Sequence, residues 1–277
     1  MIKKLLPLLL LILIGCSSPE PLNYGLLEER DGVHYRKDTN EIYSGPVFNI
    51  DGESEGTLKD GKFHGPYKSY YKNGQMNKDI TYKDGKLDGS YKKYHDNGKL
   101  NESETQIRYF MGMRYLKRTK IQKTMVLHYD ATYKDGKEDG PFKSYYKDGQ
   151  LEYIATYKDG KEDGPFKSYY RDGQLKYIAT YKYGKQHGPF KSYHYAITLE
   201  DGYSFRPQIY SEGNYNNGKR DGIYKKYYSN GQLEYQGEYY DGKEDGLFRS
   251  YSENGQLKEE SFYSDGELQW KDGEFID

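Results

Sequence analysis

Two consecutive stretches of 24 residues, Tyr133–Thr156 and Tyr157–Thr180, are identical at 22 positions and differ only at Lys147/Arg171 and Glu152/Lys176. So short and faithful a period constrains the fold more than any other feature. One unit of this size cannot enclose a core, so it must bury its apolar face against its neighbours. The same phase recurs at Leu58, Tyr82, Tyr181, Tyr215, Tyr239 and, truncated, at Tyr263. The steps 58→82, 133→157→181 and 215→239→263 are all 24 residues.

Two steps break the period. From Tyr181 to Tyr215 the step is 34. Its Asp201-Gly202 turn is displaced so that each arm of the hairpin is longer by five, which predicts a lengthened hairpin over 181–214 with its strands still in register. From Tyr82 to Tyr133 the step is 51. Taking Tyr109 as a decayed header divides it into 27 and 24 and predicts a degenerate unit at 109–132, with Thr124-Met125 in place of the turn. A further degenerate unit is read at 35–57, where Ser44-Gly45-Pro46-Val47-Phe48 echoes Asp139-Gly140-Pro141-Phe142. That makes about nine units.

Within a unit, Asp148-Gly149 is a hairpin signal, suited to a type I′ turn with positive φ at both central residues. Asn73-Gly74, Asn97-Gly98, Asp172-Gly173, Asn230-Gly231 and Asn254-Gly255 occupy the same slot. A two-residue turn pairs Tyr146 with Leu151, Ser144 with Tyr153 and Phe142 with Ala155. Alternation puts these six on one face and Lys143, Tyr145, Lys147, Gln150, Glu152 and Ile154 on the other. At the opposite end, Lys134–Gly140 is read as the turn between hairpins. The expected fold is all-β, an elongated single-layer antiparallel β-meander of tandem 24-residue hairpin repeats, reaching on the order of 85 Å at about 4.8 Å per strand.

Composition agrees. Hydrophobic residues are 34% of the chain and aromatic residues 17%, with 35 Tyr and 32 Gly. Leu, Ile and Val are scarce, which argues against a deep two-layer core, and the aromatic richness argues against disorder. Lys+Arg 42 against Asp+Glu 43 leaves a net charge of −1, which excludes a general polyanion binder, so no nucleic-acid partner is expected. The one Cys excludes an intramolecular disulfide and any multi-cysteine metal site.

That cysteine has a context of its own. Lys3 and Lys4 precede an apolar run, Leu5–Ile14, too short to span a bilayer. Leu13-Ile14-Gly15-Cys16 then looks like the lipobox of bacterial lipoproteins. The resemblance implies cleavage before Cys16 and lipidation of its thiol. The chain is accordingly divided into a signal peptide (1–15), a lipidated Cys with tether (16–34) and the repeat array (35–277). The expected location is the cell envelope, on the outer membrane or the outer face of the cell membrane.

The unit pattern Y-x-D/N-G-K-x-D/H-G-x-Y/F-x-x-Y-Y-x-N/D-G-Q-L resembles the bacterial variant of the MORN repeat. It is especially similar to YwqK-type proteins, commonly labelled toxin–antitoxin antitoxins. The likeness covers about 35–277 and recurs at least seven times. It implies a β-meander without catalytic residues or cofactor, and MORN arrays serve as protein and lipid scaffolds.

Asp135 and Asp139 lack calcium-loop spacing and read as turn residues, so no metal is expected. His64 and His187 take the slot of Asp139 and read as turn substitutes. No nucleophile–base set is evident, which points away from an enzyme. The candidate binding face comprises Phe142, Tyr146, Leu151 and Tyr153 with Phe166, Tyr170, Leu175 and Tyr177. A candidate basic patch comprises Arg108, Arg114, Lys117, Arg118, Lys120 and Lys123. It suits anionic headgroups or an acidic partner, although a solvated strand edge guarded by lysine is the favoured reading. The expected function is a lipid-anchored scaffold that binds a protein, with a toxin or a second copy of the chain as candidates. Antitoxin or immunity activity and glycan or lipid-headgroup binding are the alternatives.

Overall fold

The computed structural model describes residues 19–49, 51–96, 105–110, 113–119, 125–196 and 208–275, with the two segments between 105 and 119 given as backbone. Among these residues the chain is a succession of β-hairpins in one long open sheet, with no α-helix. From Gly45–Phe48 onward each strand pairs with the next in antiparallel order, apart from one detour.

The hairpin headed by Tyr133 sets the pattern. Lys137–Tyr145 pairs with Leu151–Lys158, which puts Phe142 opposite Ala155 and Ser144 opposite Tyr153, as expected. The third expected pair is corrected. Leu151 faces Tyr145 and not Tyr146, because the register shifts between Ser144 and Tyr145.

The turn explains the shift. Gly149 N donates to Tyr146 O (2.9 Å) and Tyr146 N to Gln150 O (2.8 Å), which closes a three-residue loop over Lys147, Asp148 and Gly149. Only Gly149 (φ 91°) is left-handed there. This is a three-residue hairpin loop with a glycine bulge, not a type I′ turn. Asp148 is used for its side chain instead: Gln150 N donates to Asp148 Oδ1 (3.2 Å). The same bond recurs at Asn73, Asp172, Asn230 and Asn254.

The type I′ turn sits at the other end. Asp135 (φ 50°) and Gly136 (φ 86°) alone join Lys134 to its pairing partner Lys137. The loop read over 134–140 therefore shrinks to two residues, and strand resumes at Lys137. Turns of this kind stack from unit to unit. Gly85 N donates to Phe63 O, Gly136 N to Leu87 O, Gly160 N to Glu138 O and Gly184 N to Glu162 O, each at 2.8 Å.

The two irregular steps are insertions at one edge of the sheet. Lys86–Tyr94 pairs directly with Leu127–Lys134, with Tyr91 opposite Ala131 as Phe142 is opposite Ala155. The unit expected at 109–132 is therefore not a unit. Its last strand completes the hairpin headed by Tyr82, and Thr105–Phe110 with Met113–Thr119 forms a separate two-stranded ribbon. Likewise Gly188–Tyr193 pairs with Ile209–Asn216, with Phe190 opposite Gly213. His194 N donates to Gln208 O as Tyr146 N does to Gln150 O, so all ten added residues fall between His194 and Gln208. The predicted Asp201-Gly202 turn lies outside the described residues.

The segment read as a tether is folded from Leu22 onward. Leu22–Asn23 runs parallel to Val47–Phe48, and Leu27–Arg30 pairs with Val33–Arg36. Leu27, Tyr43, Val47 and Leu58 close a small core there, with Leu22, Tyr24 and Phe63 against it. Leu58 is the one large side chain that is fully buried among the described residues. An array end exposes an apolar face with no further repeat to cover it, and this segment covers that face.

Candidate functional site

Rings from successive hairpins meet in one row across the sheet. Tyr91, Tyr129, Phe142, Tyr153, Phe166, Tyr177, Phe190, Tyr224, Tyr235 and Phe248 form an unbroken series, with centroids 5.2–6.3 Å apart. Alternation puts every ring of the row on one face, and the pairing brings each close enough for stacked or edge contact. Each such contact contributes roughly 0.5–1.5 kcal/mol beyond burial. The residues opposite Phe142 and Phe166 are Ala155 and Ala179, both buried. Phe142, Tyr153, Phe166 and Tyr177 remain half-buried, so their outer surfaces are open.

A second line, in the pairs that flank the type I′ turns, meets the row. Tyr133 Oη donates to Glu138 (2.8 Å) and Tyr157 Oη to Glu162 (3.4 Å). Gln186 Nε2 donates to Tyr177 (2.8 Å) and Tyr181 (3.1 Å). The Arg220 guanidinium lies 4.1 Å from the Tyr224 ring centroid. Burial pushes the Glu162 carboxyl up, while the Tyr157 hydroxyl opposes this by stabilising the carboxylate. Burial, with the Glu162 charge second, holds Tyr157 well above the usual phenol range. This face combines aromatic surface with partly desolvated polar groups, a combination suited to contact with a partner.

The other predicted face residues do different work. Tyr146 and Tyr170 tie units together at the edge: their hydroxyls donate to Tyr169 O (2.8 Å) and Tyr193 O (2.9 Å). Leu151 and Leu175 pair with Tyr145 and Tyr169 at the register shift beside the three-residue loops. Arg108 lies at the irregularity of the separate ribbon, whose other strand carries Arg114, Lys117 and Arg118. Lys120, Lys123 and Cys16 lie outside the described residues. Asp135 and Asp139 serve the turns: Asp135 is left-handed, and Asp139 Oδ2 accepts from Asp159 N at 3.4 Å. His64 contacts the next turn through Asp84 (3.2 Å).

Sequence reasoning passed over two histidines. Tyr71 donates to Tyr94 O and Tyr228 to Tyr251 O (2.7 and 2.8 Å), continuing the edge tie. Where the two insertions leave the sheet, histidine replaces tyrosine. His95 Nε2 bonds Tyr145 O (3.0 Å) and His194 Nε2 bonds Tyr227 O (2.9 Å). The tie thus runs unbroken across both insertions. The available signal was Tyr-His at 94–95 and 193–194, where 70–71, 145–146, 169–170 and 227–228 read Tyr-Tyr.

The fold defines the molecule as a tandem β-hairpin repeat protein with one aromatic face. Residues 63–84, 87–105, 138–159, 162–183, 220–240 and 244–269 match the family described as MORN repeat variant, and these six repeats support a MORN-repeat protein. Each matched segment begins two residues after the glycine of a type I′ turn. No curated protein matches the chain. Among solved structures it is similar to a chain of the crystal structure of TcdB2-TccC3-Cdc42, at 12% identity and a TM-score of 0.20, over 83% of this chain and 13% of that one. So weak a likeness carries no argument.

Proposed function

We propose that this protein is a non-enzymatic, lipid-anchored scaffold of the cell envelope that binds a protein partner across its aromatic row. The observation that carries this reading is the row itself. Its rings are fixed by their neighbours, and Phe142, Tyr153, Phe166 and Tyr177 are half-open, so a partner would meet a preorganised aromatic surface there. Finer placement among YwqK-type proteins rests on the repeat pattern, and the anchor rests on Lys3, Lys4, the apolar run and Cys16. Lipidation at Cys16 would leave only six residue steps to Leu22. That is at most about 20 Å of chain, and it would hold the N-terminal end of the sheet close to the membrane.

Two measurements test this. Cys16→Ser is expected to shift the protein from the membrane to the soluble fraction and to abolish labelling by a palmitate analogue; unchanged fractionation would refute the anchor. Affinity capture from native membranes is expected to recover a protein that Tyr153→Ser/Tyr177→Ser no longer holds. Serine is compatible with this slot, since Ser211 occupies it naturally opposite Ser192. Equal capture by both forms, or none by either, would sink the scaffold reading.

A further inference from the structure

The first hairpin leaves a gap at the end of the aromatic row. Val47 faces Gly56 where Phe142 faces Ala155, and Ser54 faces Ser69 where Tyr153 faces Ser168. Two rings of the repeating pattern are thus replaced by an isopropyl group and a hydroxymethyl group, and an alanine by glycine. At that place lies a cavity of 160 Å³, lined by Tyr24, Val47, Ser54, Gly56, Phe63 and Tyr67 among others.

Its walls are held in place. The Tyr24 and Phe63 rings stack at 6.2 Å, and Phe63 meets Tyr67 edge-on at 5.3 Å. Tyr24 Oη bonds His34 Nε2 (2.6 Å), while His34 Nδ1 bonds Gly61 O (2.7 Å), so the Tyr24 ring is tied to the backbone of the next turn. A cavity of about 150 Å³ accepts one benzene-sized guest, well below the size that a drug-like molecule needs, and this one is mostly apolar, with Ser54 and Glu55 as the polar residues of its lining. Ring walls favour a planar guest, by the same stacked and edge contacts that join the row elsewhere. Ser54 brings a hydroxyl to the lining.

We propose that this cavity binds one planar aromatic ring bearing a hydroxyl or N–H, a phenol or indole in class, which completes the row where Val47 and Ser54 interrupt it. The site is independent of any partner on the open row.

The test is an NMR titration of the folded protein with phenol and with indole. The expected result is saturable binding with Kd about 1 mM or tighter, with intermolecular NOEs to the Tyr24, Phe63 and Tyr67 rings. Val47→Phe/Ser54→Tyr refills the gap and is expected to weaken binding at least about tenfold. Should that variant not fold, the NOEs in the natural protein decide alone. No saturable binding, NOEs to Phe166 and Tyr177 instead, or unchanged affinity in a folded refilled variant would each overturn the proposal. N-acetyltyrosinamide separates the sources of the ring. Affinity at least about tenfold above that of phenol assigns it to a peptide side chain, and equal or lower affinity to a free small molecule, and either supports the site.

Discussion

The ring of Phe248 rests on the bare backbone of Gly237: a Cβ at residue 237 would stand 2.0 Å from two of its ring carbons. Phe248 is only 3% exposed, so the ring has nowhere to retreat. Gly237→Ala is therefore expected to destabilise the array by about 1–3 kcal/mol through overpacking. In the double variant with Phe248→Ala this penalty should vanish, since the clashing ring is gone. Denaturant melts of the four forms check this, and additive effects would show that the contact is not there.

Tyr183 occupies a left-handed turn position (φ 53°) that Asp135, Asp159 and Asn217 hold in neighbouring turns. A bulky side chain is strained in that region, whereas asparagine tolerates it. Tyr183 is 69% exposed, so little packing is lost on replacing it. Tyr183→Asn should stabilise the protein by about 1 kcal/mol. A lowered melting temperature would contradict the strain argument.

Tyr170→Phe removes one edge tie, the 2.9 Å bond to Tyr193 O, and leaves the ring in place. A loss of about 0.5–1.5 kcal/mol is expected. Tyr146→Phe should do the same, and the pair should add nearly independently in a linear array. Urea melts resolve these changes, and no loss in either variant would show that the ties contribute nothing.

Replacing residues 96–125 by Lys-Asp-Gly should leave the sheet intact, because His95 N already donates to Val126 O across that gap at 2.9 Å. Circular dichroism and melting should match the parent. A collapse of cooperativity would mean that the ribbon is part of the array after all.

Alkali should dissolve the array late and abruptly. Burial first, and then the hydrogen bond to Glu212, push Tyr227 up to about 12. Burial also raises Tyr157 and Tyr177, with the Glu162 charge and Tyr181 respectively as secondary causes. The folded state favours the neutral phenol. Its contribution is thus complete below the unfolded value of 10.0 and is lost as pH rises through about 12. Circular dichroism should be lost in one transition as pH rises toward about 12, together with the last rise in tyrosinate absorbance, which comes from the buried phenols. Ionisation of these phenols near pH 10 with the sheet intact would contradict it.

Much of this was legible from residues. The 24-residue period placed Phe142 opposite Ala155 and Ser144 opposite Tyr153, because alternation and a turn signal leave few registers open. Phe142, Tyr153, Phe166 and Tyr177 were named as one face and meet in one row. Tyr146 serves the edge tie, and Leu151 pairs one residue off the expected register. The loop is one residue longer than a two-residue turn, and a bulge at its foot absorbs the difference, leaving the pairs beyond it in place. Tyr109 misled for a different reason: weak similarity to a header cannot reveal that Tyr91 and Ala131, 40 residues apart, are partners.

The sequence alone determined that this chain is an array of hairpins with an aromatic face, because period and alternation are local properties. Tertiary structure decided which Asp-Gly pair takes which turn. The dipeptide is compatible with both, and only the register of the next strand chooses between them. It also decided that His95 and His194 carry the edge tie past two insertions, since the carbonyls they reach belong to the following unit. The gap left by Val47 and Ser54 is likewise a property of packing. A missing ring becomes a cavity only when Tyr24, Phe63 and Tyr67 are held around it.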